Sequence, residues 1–112
     1  MKPVQLDISE RVNALALLNA FKGNLDKLAV ILEDIKQFTV SEEEWEKAEL
    51  KKTDLGEGQT QLNWDNEKGG LKEINLQEAT LEYLRSEIKR KDEAGEFSLS
   101  DKSFITLKEK LA

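Results

Sequence analysis

The sequence predicts an α+β fold: a single domain over residues 1–112, predominantly helical, with four to five helices and a small antiparallel sheet. Three observations predict this fold. Apolar residues recur at helical spacing over most of the chain. Short stretches of alternating apolar and polar residues interrupt that pattern near the N-terminus and in the middle of the chain. The length of 112 residues suits one domain and is too short for two ordinary ones.

The first predicted element is a short strand. Val4, Leu6 and Ile8 alternate with polar Gln5 and Asp7, which is the period-2 pattern of a half-buried strand. The preceding proline suits the first residue of a strand or an exposed edge.

A helical period follows from about Ser9 to Phe38. Its apolar positions form a heptad seam: Ala14, Leu18, Phe21, Leu25, Leu28, Leu32 and Ile35. Two interpretations of its middle remain open. Gly23 as a left-handed C′ residue and Asn24 as an N-cap favour a helical hairpin of Ser9–Lys22 and Leu25–Phe38. The unbroken heptad phase favours one continuous helix, and of the two we prefer the break.

A capping box predicts the next helix. Ser41 is the N-cap and Glu44 is the N3 residue, while Val40 and Trp45 occupy the positions of a hydrophobic staple. We expect a helix from Glu42 to about Lys51, followed by a loop over Asp54–Gly58 because of its glycines.

A β-hairpin is predicted after that loop. Leu62–Trp64 and Ile74–Leu76 both alternate, and the Asp65–Gly70 segment between them is rich in turn-forming residues. A lone hairpin is marginally stable in water, so the strand over Val4–Ile8 is the expected third partner.

Two helices complete the chain. Asn75 and Glu78 form a candidate cap for the first, which ends at Ala94-Gly95, and the second begins near Ser98 or Ser100. Their core stripes are Leu81, Leu84 and Ile88, then Phe104, Leu107 and Leu111. The chain shows no internal repeat.

The composition excludes several kinds of chemistry. The chain has no Cys and no His, so it offers no thiol nucleophile, no disulfide, no imidazole base and no zinc site of the usual ligands. We therefore expect no catalytic residues, no cofactor and no metal. No apolar stretch approaches the length of a membrane span, and no signal peptide is evident, so we expect a cytoplasmic protein without membrane contact.

Most of the net charge of −6 lies in residues 41–58, which carry seven acidic and three basic residues. The candidate acidic face comprises Glu42, Glu43, Glu46 and Glu49. A helix distributes such residues around its surface, so they do not converge on a cation without a second element. Asp65–Gly70 is superficially similar to a calcium loop, but Leu76 stands where the bidentate glutamate belongs.

A candidate basic patch lies on the penultimate helix and comprises Arg85, Lys89, Arg90 and Lys91. It could contact phosphate or an acidic partner. No aromatic residue is interleaved for base stacking, and bases near a helix C-terminus also complement the helix dipole.

The order of the local motifs resembles a family. Leu17-Leu18 precedes Gly23-Asn24, then Thr39-Val40-Ser41-Glu42-Glu43, and then Gly58-Gln59 with Asn63-Trp64-Asp65. Over about residues 14–111 this order resembles a group of small, largely uncharacterised proteins encoded by phages and prophages of Gram-positive bacteria. The resemblance implies a phage origin and brings no activity and no catalytic residues with it.

By elimination, and from this resemblance, we expect a non-enzymatic phage-type protein that binds another protein as an adaptor, regulator or assembly component. The candidate interface residues are Leu17, Val30, Ile31, Trp45 and Trp64. A homodimer through surplus apolar positions of Ala14–Ile35 is one form of this hypothesis. The alternatives are an acidic mimic of nucleic acid that inhibits a DNA-binding protein, and a weak nucleic-acid binder acting through Arg85–Lys91.

Overall fold

The computed structural model describes residues 2–112, apart from the side chains of Lys2 and Ser100. The described elements, in chain order, are β1 (Lys2–Leu6), α1 (Ile8–Asn19), α2 (Leu25–Phe38), α3 (Glu42–Lys47), β2 (Lys51–Gly56), β3 (Gln59–Asn63), α4 (Asn66–Gly69), β4 (Lys72–Leu76), α5 (Glu78–Glu93), a 3-10 turn (Leu99–Asp101) and α6 (Ser103–Leu111).

The α+β class is confirmed. Residues 2–112 contain six α-helices rather than four to five, and the strands form two separate two-stranded antiparallel sheets rather than one three-stranded sheet. β1 pairs with β4, and β2 pairs with β3. The strand predicted over Val4–Ile8 exists but ends at Leu6, because Asp7 caps α1 and Ile8 is already helical.

The predicted hairpin between Leu62–Trp64 and Ile74–Leu76 is wrong. The Asp65 side chain accepts hydrogen bonds from the backbone N–H groups of Glu67 and Lys68, which begins helix α4 where a hairpin turn was expected. The actual turn lies in the segment predicted to be a loop, Asp54–Gly58, since β2 and β3 pair on either side of Glu57-Gly58.

The break between the first two helices is confirmed. Asn24 is the N-cap of α2, and its Oδ1 accepts a hydrogen bond of 2.9 Å from the N–H of Lys27. The predicted left-handed Gly23 is wrong, because α1 ends earlier, with Ala20 as its C-cap. Gly23 has a steric role instead: a β-carbon there would lie 2.6 Å from the ring of Phe21.

The other helix starts are mostly as predicted. Ser41 and Glu44 form the capping box of α3, although this helix ends at Lys47. α5 begins after Gln77 rather than Asn75, and Gly95 ends it with a φ of 65°. Ser98 caps the 3-10 turn that precedes α6, while the alternative cap, the Ser100 side chain, lies outside the described part of the structure. Both predicted C-terminal core stripes are buried.

The hydrophobic core divides the chain into two parts. All of its buried residues lie within residues 4–38 and 74–111, which we call the body. Residues 39–71, which we call the insertion, contain α3, β2, β3 and α4 and contribute no member of this core in the described part of the chain.

The body has an internal two-fold arrangement, which the sequence did not predict. Its halves are β1-α1-α2 and β4-α5-α6, and the strands read Lys-Pro-Val-Gln-Leu and Lys-Glu-Ile-Asn-Leu. Val4 pairs with Ile74, Lys2 with Leu76 and Leu6 with Lys72. Val4 and Ile74 occupy equivalent positions in the two strands and pair with each other. Lys2 is equivalent to Lys72, and Leu6 to Leu76, so each residue on one side of the central pair has its equivalent on the other side. This register corresponds to a two-fold axis that passes between Val4 and Ile74.

The helices follow the same symmetry. α2 packs on α1, α5 and β4, while α6 packs on α5, α1 and β1. Equivalent buried positions run through both halves: Val4 and Ile74, Leu6 and Leu76, Glu10 and Thr80, Arg11 and Leu81, Ala14 and Leu84, Leu18 and Ile88. The body therefore consists of two similarly arranged βαα units, and the insertion lies between them.

No helix within residues 2–112 combines the length and the apolar character that crossing a bilayer requires.

Candidate interaction surfaces

The insertion is fixed to the body by a small cluster separate from the main core. Ile8 and Ala48 are fully buried there, and α4 comes so close that a β-carbon on Gly69 would lie 2.4 Å from Ile8 Cδ1. The rings of Trp45 and Trp64 pack edge to face with centroids 5.3 Å apart. This cluster anchors both ends of the insertion to the start of α1.

Polar contacts reinforce this anchor. The Trp64 Nε1–H donates to Ser9 Oγ at 3.2 Å, and the backbone N–H of Ser9 donates to Asn66 Oδ1 at 3.0 Å. At the base of the two-stranded sheet, the N–H of Asp65 donates to the Ala48 carbonyl at 2.6 Å.

A buried ion pair joins α1 to α3. Arg11 is fully buried, and its guanidinium donates a hydrogen bond to the Glu44 carboxylate. This contact, together with the backbone N–H of Ser41, lowers the pKa of Glu44 from 4.5 to about 2. Arg11 Nε and Nη1 have no hydrogen-bond partner among the described atoms, so Glu44 is the sole anion that compensates this buried charge there.

A second ion pair joins α1 to α6. Glu10 is fully buried, and the half-buried Lys110 donates to its carboxylate at 2.6 Å. Glu10 also caps its own helix by accepting from the Asp7 N–H. The equivalent positions in the other half are Thr80 and Leu81, so the symmetry is broken at Glu10 and Arg11, of which Arg11 contacts the insertion through Glu44.

From this anchor the insertion extends a hairpin that we call the arm: residues 51–63, comprising β2, β3 and their turn. Every residue of both strands is exposed. Leu55 and Leu62 are among the large apolar side chains on the protein surface. Both faces of this two-stranded sheet are therefore exposed to solvent, and neither strand is buried against the body.

The five predicted interface residues lie in different environments, from the core to the anchor of the insertion. Leu17 and Ile31 are 5% and 1% exposed and belong to the core, so the prediction that they contact a partner is wrong. Val30 is half-buried. Trp45 and Trp64 are also half-buried, and their mutual packing and the Trp64 hydrogen bond place them in the anchor of the insertion.

The apolar surface that the sequence reading assigned to the core lies on α2. The stripe Leu25, Leu28 and Leu32 was predicted to face inward, but Leu25 is 79% exposed and Leu32 is 53% exposed. The helix instead turns Ile31, Asp34 and Phe38 inward. On this buried side the Asp34 carboxylate accepts hydrogen bonds from the backbone N–H and the side-chain amide of Gln77 at the start of α5.

A second apolar surface, which sequence reasoning also missed, is a groove of about 610 Å³ between α5 and α6. Phe97, Leu99, Phe104 and Ile105 line it, and Leu99 is 94% exposed. Phe97 packs on Phe104 at the floor of this groove, with ring centroids 4.9 Å apart.

The predicted acidic face is exposed but divided. Glu42, Glu43 and Glu46 lie on the surface of α3 without an ion pair among the described residues, whereas Glu49 pairs with Lys68 at 2.9 Å. Residues 2–112 contain no group of three acidic side chains placed to hold a metal ion.

The predicted basic patch is largely neutralised by neighbours. Arg90 pairs with Glu87 at 3.0 Å and with Glu96, Lys91 also lies near Glu96, and Lys89 lies near Glu93. Arg85 donates to the backbone carbonyl of Leu111. Three of the four basic side chains therefore have a carboxylate within 4.0 Å.

Comparison of the chain with protein families, curated proteins and solved structures gave no match.

Proposed function

We propose that this chain is a non-enzymatic protein-binding protein, and that the arm is its main contact surface. One observation carries the proposal: every residue of β2 and β3 is exposed, although the arm is firmly anchored at its base. Two-stranded sheets without further cover are marginally stable in water, and exposed sheet edges readily accept another strand. A partner that covers the arm would supply the missing contacts.

The placement of the arm in the chain supports the same proposal. The body buries its core without any contribution from the insertion, and its two βαα units pair with each other. Because the insertion contributes no buried residue to this core, we infer that its role is binding and not stabilisation of the body. Binding sites are commonly located on such connecting segments, held by a rigid scaffold.

The motif order that resembles phage and prophage proteins supports a bacterial host protein or a phage protein as the partner. We place its action in the host cytoplasm as part of the same proposal. The proposal assigns no catalytic step, cofactor or metal to the chain.

A pull-down with two matched variants tests this function. In the first variant, residues 52–62 are replaced by Asn-Gly, a two-residue turn that removes the arm. In the second, Glu42, Glu43 and Glu46 become Gln. Both variants and the wild type are tagged and mixed with a lysate of a Gram-positive bacterium, with and without phage infection, at low and high salt.

We expect the wild type and the glutamine variant to retain the same stoichiometric protein at both salt concentrations, and the variant without the arm to lose it. Retention of the partner without the arm would contradict the proposal. Capture of DNA-binding proteins that fails in the glutamine variant and at high salt would instead support the acidic mimic, because exposed charge pairs are screened by salt.

A further inference from the structure

The arm has two outer edges, and they differ in how they are protected. β2 carries three charged residues, Lys51, Lys52 and Asp54. It also contains a bulge at Leu55, because Asp54 pairs with Thr60 while Gly56 pairs with Gln59. Charges and bulges are the devices by which sheet edges avoid pairing with other strands.

The outer edge of β3 lacks all of these devices. Its residues, Gln59, Thr60, Gln61, Leu62 and Asn63, include no charge and no proline. The register gives it no extra residue, and it has no second neighbour among the described strands. It therefore presents a regular, neutral edge of five residues with backbone groups available to a further strand.

We propose that this edge pairs with the same edge of a second copy of this chain. The result is a four-stranded antiparallel sheet in which β3 of each copy lies at the centre and Gln61 lies on the two-fold axis. This inference rests on the proposed function, in which the arm is a binding surface. It identifies the partner that pairs with β3 as a second copy of this chain.

The chemistry of β3 favours pairing with itself. In this register Gln61 faces the partner's Gln61, and an amide side chain both donates and accepts, so two of them complement each other. Thr60 faces the partner's Leu62, and Gln59 faces the partner's Asn63. No charge opposes a like charge where the two β3 strands meet.

The charge distribution also suits this arrangement. The arm itself is balanced, with Lys51 and Lys52 against Asp54 and Glu57, while the chain as a whole carries −6. Antiparallel pairing about Gln61 places the two bodies at opposite ends of the sheet, with the two Asn63 residues at the bases of the arms about 13 Å apart along the strands. That separation exceeds the Debye length of about 8 Å at physiological ionic strength, so repulsion between the bodies is screened.

Gln61→Lys is the decisive variant, because it places two ammonium groups face to face on the axis. Thr53→Lys is the matched control: Thr53 pairs with Gln61 across the hairpin, is equally exposed and lies on the other edge. Sedimentation velocity and light scattering over a concentration series give the mass, and circular dichroism verifies that each variant is folded.

We expect the wild type and Thr53→Lys to reach twice the monomer mass of 12.8 kDa at high concentration. We expect Gln61→Lys to raise the dissociation constant at least about tenfold, since like charges directly opposite each other destabilise a sheet. Mixing Gln61→Lys with Gln61→Glu should restore a heterodimer, which a folding defect would not do.

A wild type that stays monomeric at about 1 mM protein would overturn the inference, as would equal weakening by Gln61→Lys and Thr53→Lys. These failures are distinguishable from failure of the proposed function. A monomeric protein that still captures another protein through its arm would overturn only the pairing of two copies.

Discussion

Gly69 lies where α4 meets the N-terminal turn of α1, and its missing side chain permits this close approach. A β-carbon there would be 2.4 Å from Ile8 Cδ1 and 3.4 Å from Ala48 Cβ, and both neighbours are fully buried. We expect Gly69→Ala to lower the free energy of unfolding by about 1–3 kcal/mol, the usual cost of overpacking. Urea denaturation followed by tryptophan fluorescence measures it.

A double-mutant cycle identifies the cause of this loss. Ile8→Val removes the Cδ1 atom that the new methyl group would strike. We therefore expect the combined variant to be less destabilised than the sum of the two single variants. Purely additive losses would show that the contact with Ile8 is not the cause.

The contribution of Glu44 to the free energy of unfolding can be measured separately from that of Gly69. Removing its charge leaves the buried Arg11 guanidinium uncompensated, so we expect Glu44→Gln to lower the free energy of unfolding by about 3 kcal/mol at neutral pH. Glu43→Gln, one residue earlier and fully on the surface, should change it by less than about 0.5 kcal/mol.

The pH dependence of that difference has a defined sign. The pKa of Glu44 is lowered from 4.5 to about 2 in the folded chain, mainly by the hydrogen bond from Arg11. The carboxylate therefore stabilises the fold fully above its unfolded pKa, and this contribution is lost as pH falls towards about 2. The stability gap between wild type and Glu44→Gln should close over that range. A gap that stays constant from neutral pH to about 2 would contradict the assigned ion pair.

At the level of elements, the arm and the core helices should differ sharply in their contribution to stability. Replacing residues 52–62 by Asn-Gly removes no buried side chain, so we expect the free energy of unfolding to change by less than about 1 kcal/mol. Leu107→Ala in α6 should cost about 2–5 kcal/mol, because Leu107 is fully buried. Comparable losses from the two changes would show that the arm supports the body.

Local signals predicted the helices better than the strands. The Ser41–Glu44 capping box, the Asn24 cap and the two C-terminal core stripes are all confirmed, because caps and helical periodicity depend on residues within a few positions of each other. Strand partners are chosen between distant segments. The alternation at Ile74–Leu76 indicated a strand correctly, but β1 rather than the nearer segment is its partner.

The α2 stripe was also misassigned at this level. Leu25, Leu28 and Leu32 carry a strong heptad pattern, yet two of them are exposed. Asp34, on the buried side of α2, is bound at a distant helix start, and a prediction from hydrophobic periodicity does not place a carboxylate on the buried side.

At the scale of the whole molecule, charge bears on the nucleic-acid alternative. The chain carries −6, and the four residues of the predicted basic patch are engaged by carboxylates or by a backbone carbonyl. We expect no retardation of duplex or single-stranded DNA in a gel shift at about 50 mM salt, where electrostatic binding is strong. A shift that disappears on Arg90→Gln would contradict this expectation.

The two-fold arrangement of the body is also a property of the whole molecule. The similarity of Lys-Pro-Val-Gln-Leu to Lys-Glu-Ile-Asn-Leu spans only five residues, and the following helices diverge, with Leu17 opposite Glu87 and Arg11 opposite Leu81. Five residues are too few to establish a repeat. The pairing of Val4 with Ile74 and the matched burial of both halves establish it.

The α+β class, the approximate positions of all helices except α4, and the caps at Asn24 and Ser41 follow from the sequence, because they depend on composition and on neighbours along the chain. The choice of strand partners, the buried side of α2 and the residues that remain for a partner do not follow from local sequence. Those choices depend on contacts between distant segments, such as Asp34 with Gln77 and Arg11 with Glu44. The exposure of the arm follows from the same cause, since the two halves of the body complete their core with each other and leave the insertion outside it.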